Sequence, residues 1–264
     1  MMNLGDATIL SLTALPEDIL KTAMPVFEER LVADLDPPKF YLQMLLPEST
    51  MENDETRRRP LDRTLTIFKL FKNSIVKSNI VLITLNGKTE ARFWRHYVHY
   101  SRVATPPYYL GESEEEDFKK FWREFGSIDM SNFAVYRFHL AEIRPYLRDR
   151  FTDFVESLEY VLVPDSGEGE IAYKFRIRGA LILSPPDNRE AVYNNLKDAY
   201  DLRSAIVHGN AKREDELMRK RTWEEWIDLV RDYSRQVLVQ FFRAGCLGDP
   251  GKRRALLLQR ALNP

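Results

Sequence analysis

Apolar positions in the first part of the chain recur in short, mixed patterns; in the second part they recur at long helical spacing. Pro16-Glu17-Asp18-Ile19-Leu20 opens a predicted helix that Pro25 interrupts. Residues 47–63 carry Glu52-Asn53-Asp54-Glu55 and Arg57-Arg58-Arg59-Pro60 without aromatics or apolar periodicity, which predicts a mobile loop. Its arginine triplet reads as solvated surface, with phosphate contact as the alternative. Val81, Ile83 and Leu85 alternate within Asn79–Leu85, and Asn86-Gly87 suits a two-residue turn in which both residues take positive φ. With Lys88–Trp94 following, the expectation is a β-hairpin inside a small N-terminal α+β unit over residues 1–110.

After Pro106-Pro107 the period becomes 3.6. Ser113-Glu114-Glu115-Glu116 has the form of a capping box ahead of a helix with Phe118, Phe121, Trp122 and Phe125 on one face. Ser131 is the expected cap of a segment through Val135, Phe138, Leu140 and Ile143, with Pro145 inside that segment or between two helices. Phe151, Phe154, Val155, Leu158 and Val161 continue the period. The block from Ile171 to Leu183 is ambiguous: Ile171, Tyr173, Phe175 and Ile177 alternate like a strand, while Ala172, Phe175, Gly179, Ile182 and Leu183 also fit one helical face. Asp187-Asn188-Arg189-Glu190 resembles a helix start, and the helix that follows buries Val192, Leu196, Ala199 and Tyr200 and ends near Gly209. A last long helix starts near Thr222 and carries Trp226, Val230, Tyr233, Val237 and Phe241. The fold class expected is therefore α+β overall, an N-terminal α+β unit followed by an all-α helical bundle over residues 111–264.

Composition narrows the class more than the chemistry. The 264 residues include 39 Lys or Arg and 40 Asp or Glu, a formal net charge of −1. That balance excludes a generally basic coat for nucleic acid or membrane and leaves only local patches for a polyanion. One such patch runs from Arg203 to Arg221, where Lys212, Arg213, Arg219, Lys220 and Arg221 outweigh Glu214, Asp215 and Glu216. Hydrophobic residues at 44% and charged residues at 30% match a globular chain. Cys246 is the single cysteine, so no intrachain disulfide and no Cys-rich zinc site can form, and a structural or incidental thiol is expected. No basic-flanked apolar leader opens the sequence and no apolar run is long enough to span a bilayer, which predicts a cytoplasmic protein with no membrane partner.

Chemistry concentrates in Tyr200-Asp201-Leu202-Arg203-Ser204-Ala205-Ile206-Val207-His208-Gly209. This segment resembles the HEPN superfamily, its Apea-like branch in particular. Phe154–Leu162, the Tyr173–Leu183 block and the stretch from Arg189 support the likeness, which covers roughly the last 150 residues. It implies that the ambiguous block is helical. It also implies a metal-independent endoribonuclease, cofactor-free, working as a homodimer that brings two Arg-His pairs into one cleft, with antiphage defence or a toxin-like role as its setting. The implied catalytic pair is Arg203 and His208, supported by Ser204 and Asn210, with Lys212 and Arg213 as RNA contacts. Many members carry Asn, Asp or His after the Arg; this chain has Ser204, as is usual for the branch. RNA, tRNA among the candidates, would be the substrate, and the N-terminal unit would receive a regulatory ligand or protein.

The residue types suit that reaction. The ribose 2′-OH attacks the adjacent phosphorus and leaves a cyclic phosphate and a 5′-OH. An imidazole exchanges protons near neutrality. A guanidinium stays cationic and forks onto phosphate oxygens. On an ideal helix, however, positions five apart point about 140° away from each other, so Arg203 and His208 share a face only if the helix ends or distorts, as Gly209 allows. The competing reading is a noncatalytic dimerising module that binds RNA, a nucleotide or a protein, in which Arg203 pairs with Asp201 or Asp198 and His208 caps its helix. Arg92 with His99 repeats the loose Arg-His spacing at the end of the predicted hairpin, and His96 and His139 read as structural. A metalloenzyme is a distant third, because no His-x-x-x-His or Cys pair is present.

Overall fold

A computed structural model describes residues 2–3, 7–11, 40–44, 54–73, 80–85, 88–93, 111–164 and 170–262. The predicted helix from Pro16, the Asn86-Gly87 turn, and His96 and His99 lie outside those residues. The chain groups into two compact units: residues 1–61, 76–98 and 109–126 form one, and 62–75, 99–108 and 127–264 the other.

The expectation of an α+β fold is corrected at the level of the packed body. Every described buried side chain lies on a helix or in a turn joining helices, and the second unit has no strand among its described residues. Extended segments belong to the first unit alone. There β1 (Met2–Asn3), β2 (Ala7–Ser11) and β3 (Phe40–Met44) pair antiparallel in that order. Likewise β4 (Ile80–Leu85) pairs antiparallel with β5 (Lys88–Phe93). These pairings satisfy backbone groups locally, whereas the core is built by helical faces.

A second correction concerns residues 47–63. Helix α1 runs from Asp54 to Phe71, through much of the predicted loop. The charged run 52–59 carries no apolar stripe for a pattern reading to find, and beyond it nearly two turns, Thr64 through Leu70, are buried on all sides. Helix α2 (Glu115–Phe125) buries Phe118, Phe121, Trp122 and Phe125, the face its spacing predicts. Its N-cap is Glu114, without a side-chain cap, so the expected box does not form; the Glu114 carboxylate instead accepts a bond from the Gly111 amide at 2.9 Å.

The second unit continues with α3 (Phe133–Ile143), α4 (Leu147–Leu162), α5 (Ile171–Leu183), α6 (Arg189–Val207), α7 (Ala211–Met218), α8 (Trp223–Arg243) and α9 (Pro250–Leu262). Asn132 rather than Ser131 caps α3, its Oδ1 accepting from the Ala134 amide at 3.1 Å, and Pro145 lies between α3 and α4. Thr222 and Glu225 form a reciprocal capping box at the start of α8. No side chain caps α6; a 3₁₀ turn over Pro186–Asn188 leads into it.

Helix α4 is the central element, packing against α3, α5, α6 and α8. Phe151, Phe154, Val155, Leu158 and Val161 are all buried. Phe138 meets Phe154 edge-on at 5.5 Å between ring centroids, and Phe151 does the same with Trp226 at 6.0 Å. The ambiguous block is the helix α5, antiparallel to α6 in sequence order of contacts, and its close approach depends on Gly179. A Cβ there would stand 2.3 Å from Leu196 Cδ1, inside any allowed contact. The strand-like alternation of Tyr173, Phe175 and Ile177 lost to this two-sided helical packing.

Candidate functional site

The motif occupies the last two turns of α6 and runs two residues past its end. The helix ends in a Schellman motif: the Gly209 amide donates to Ile206 O at 3.3 Å and the Asn210 amide to Ala205 O at 2.8 Å. Gly209 takes φ +68, a left-handed conformation that costs a glycine least. His208 is thereby the C-cap residue, its amide donating to Ser204 O at 3.0 Å, and its side chain is exposed.

Arg203 faces the other way, into the bundle. Its Nη2 lies 3.5 Å from Glu156 Oε1 on α4, and its Nε is buried without a hydrogen-bond partner. Glu156 is shared, because Arg137 Nε on α3 sits 3.1 Å from Oε2. Arg137 also donates to Asp153 at 2.6 Å, and Asp153 accepts from Arg144 Nε at 2.9 Å. One turn beyond Glu156, Glu159 has a buried Oε2 without a hydrogen-bond partner. Burial pushes its carboxyl above the usual range and neighbouring Glu156 adds to this, against the pull of Arg203. Burial, with the Glu159 charge, likewise raises the Tyr200 phenol. Among the described residues no hydrogen bond or ion pair joins Arg203 to His208. Within one chain the two stand on different sides of the helix end, as their spacing requires.

The supporting residues have local structural tasks. Asn210 is the N-cap of α7, its Oδ1 accepting from the Arg213 amide at 3.1 Å. Arg213 donates to Asp201 at 2.8 Å and to Glu216 at 3.1 Å, which ties α7 back to α6, and these carboxylates raise its already high pKa. Lys212 is exposed, and Ser204 is half-buried. Asp198 is engaged by Lys220 at 2.7 Å, so neither aspartate is the partner of Arg203.

Glu156, Glu159 and Arg137 went unnoticed in the sequence. They lie on polar positions of otherwise apolar-striped helices, and such positions are ordinarily solvated. Only the seating of α3 and α6 on the same side of α4 encloses them.

The remaining titratable side chains look structural. His139 is buried, with Nδ1 3.2 Å from Thr66 Oγ1 and Nε2 3.5 Å from Asp62. Cys246 is a buried free thiol pushed up in pKa by burial. Among the described residues no group of three His, Cys, Asp or Glu is placed to hold a metal ion, and no helix is long and apolar enough to cross a membrane. No family model, curated protein or solved structure matches the chain.

Proposed function

We propose that the chain is a metal-independent endoribonuclease of the HEPN type, with Arg203 and His208 as its catalytic pair at a cleft between two copies. The observation that carries the reading is the Schellman ending of α6, which leaves the His208 imidazole exposed at the helix terminus, just past a permanently charged Arg203. In the proposed step neutral His208 takes the proton of a ribose 2′-OH while that oxygen bonds to phosphorus. The P–O5′ bond breaks, and the leaving oxygen takes its proton from the imidazolium of the second copy. Arg203 forks onto the non-bridging oxygens as charge develops there. Two copies answer the geometric difficulty of the single chain, since each helix end presents its histidine outward. The N-terminal unit would receive the regulatory ligand or protein, and tRNA is the first substrate to try.

One observation favours a second reading, a noncatalytic dimerising module that binds RNA, a nucleotide or a protein. In the single chain Arg203 already has Glu156 as its counter-ion, so a substrate phosphate must displace a carboxylate.

The test is cleavage of tRNA and total RNA in EDTA by wild type, His208→Ala and Arg203→Ala. The nuclease reading expects 2′,3′-cyclic phosphate ends from wild type and a loss of about 10²–10⁴-fold in His208→Ala, the usual worth of an acid–base group. Intact RNA from a folded, dimeric wild type would favour the binding module.

A further inference from the structure

A line of contacts leads away from Arg203 along α4, opposite to the direction of His208. Arg203 and Arg137 share Glu156. The Arg137 guanidinium carbon lies 5.0 Å from the centroid of the Phe133 ring. Phe133 packs on Tyr160 with centroids 5.1 Å apart and planes tilted by 41°. The buried Arg253 of α9 backs Tyr160 at 4.3 Å from its centroid. From the motif outward, two guanidiniums are thus followed by two aromatic rings and a third guanidinium. Phe133 keeps 41% of its surface exposed although its neighbours hold it in place. Glu156 and Tyr160 are four residues apart on one helix, about 6 Å of rise, so the aromatic pair stands within about a helical turn of the Arg203 anchor.

We propose that Phe133, with Tyr160 packed on it and the Arg137 guanidinium over its ring, forms with that guanidinium a stacking platform for a base of single-stranded RNA whose phosphate is held at Arg203. This rests on the nuclease reading for the role of Arg203 and adds the class of substrate, an unpaired strand. A base needs a flat exposed face, and both aromatic rings and guanidinium planes supply one without regard to sequence. A duplex hides its base faces and has nothing to lay on such a platform. The charge of the strip also suits a polyanion. Three guanidiniums, on Arg137, Arg144 and Arg203, meet the carboxylates of Asp153 and Glu156, with the half-buried Glu159 alongside.

The test is fluorescence anisotropy with a 5′-labelled ten-nucleotide single-stranded RNA in EDTA, using His208→Ala as background so that the strand stays intact. Phe133→Ala is expected to weaken binding about tenfold or more, in line with the loss of one stacked base. Phe133→Trp is expected to restore affinity, and a thermal melt of each variant checks that the bundle is intact. A blunt duplex of the same length is expected to bind with no dependence on Phe133. The proposal is overturned if the single strand does not bind, if Phe133→Ala binds it equally well, or if Phe133→Ala alters only self-association in sedimentation, which would make the ring a contact between copies or with a protein. The two readings fail separately. Phe133-dependent binding with no cleavage by wild type retires the nuclease and keeps the platform, and cleavage with Phe133-independent binding does the reverse.

Discussion

Glu159 stands in an environment that its position in the sequence does not suggest. Its carboxyl is held above the ordinary value of 4.5, first by burial and then by Glu156. A folded-state pKa above the unfolded one means that the folded chain keeps a proton that the unfolded chain has already released. Stability therefore falls as pH climbs from about 4.5 through the folded value. Glu159→Gln has no such proton to lose. The variant is expected to match wild type in urea denaturation at pH 4 and to exceed it at pH 7 and above. Equal midpoints at both pH values would show that Arg203 compensates the ionised carboxylate fully. Arg203 itself was legible as a residue of interest, but its counter-ion was not. Glu156 is separated from it by 47 positions in the chain, and nearer candidates, Asp198 and Asp201, are taken by Lys220 and Arg213.

At the scale of elements, the helices whose apolar residues recur with a stripe were readable and the enclosed one was not. Helices α2 and α4 bury the face that their spacing predicts, and α6 and α8 do so except at Tyr200 and Tyr233, which are half-buried. Helix α1 was not legible over residues 54–63, a charged run without an apolar stripe, and is enclosed from Thr64 through Leu70, polar residues included. Caps were less legible than faces, because a cap is one hydrogen bond and neighbouring Ser, Asn and Asp compete for it. Ser131, expected to cap α3, instead donates its hydroxyl to Asp129 at 2.7 Å. The end of α6 was legible, since only a glycine-like residue closes a Schellman motif cheaply. Gly209→Ala adds a Cβ that meets no atom within 4 Å, so its cost is conformational alone. A loss of about 1 kcal/mol is expected, read as a lower urea midpoint at unchanged slope. In the nuclease reading it also disturbs the cap that presents His208, so activity is expected to fall more than stability.

In the second unit, charge from several helices gathers at one buried carboxylate. Glu142 on α3, itself buried, has Lys69 of α1 at 3.8 Å and Arg231 of α8 at 3.2 Å. Arg150 of α4 is buried nearby and donates to Ala141 O at 3.1 Å. Burial lowers the pKa of Lys69, the neighbouring guanidiniums lower it further, and Glu142 opposes them. Four helices thus bring charge to one enclosed place, where the cations are tolerable only with their counter-ion. Removing Glu142 takes the carboxylate at 3.8 Å from buried Lys69, while Arg231 keeps Asp228 at 3.2 Å; breaking a buried pair costs about 3–5 kcal/mol. Glu142→Gln is expected to lower the denaturation free energy by about that amount, and an unchanged midpoint would mean that the cluster is solvated.

The sequence by itself determined the helical period after residue 111, most of the apolar faces and the stop at Gly209. Each of these is local, carried by residues within a few turns of one another. The tertiary structure alone decided that the packed body is helical rather than α+β, that residues 54–63 are helix, and that Ile171–Leu183 lies against Leu196 through Gly179. It alone placed Glu156 on Arg203 and Tyr160 against Phe133. Those outcomes depend on which side of α4 each neighbouring helix occupies. Polar and aromatic positions outside a helix's main stripe acquire a partner only when another helix arrives there, and no spacing within a single segment encodes that arrival.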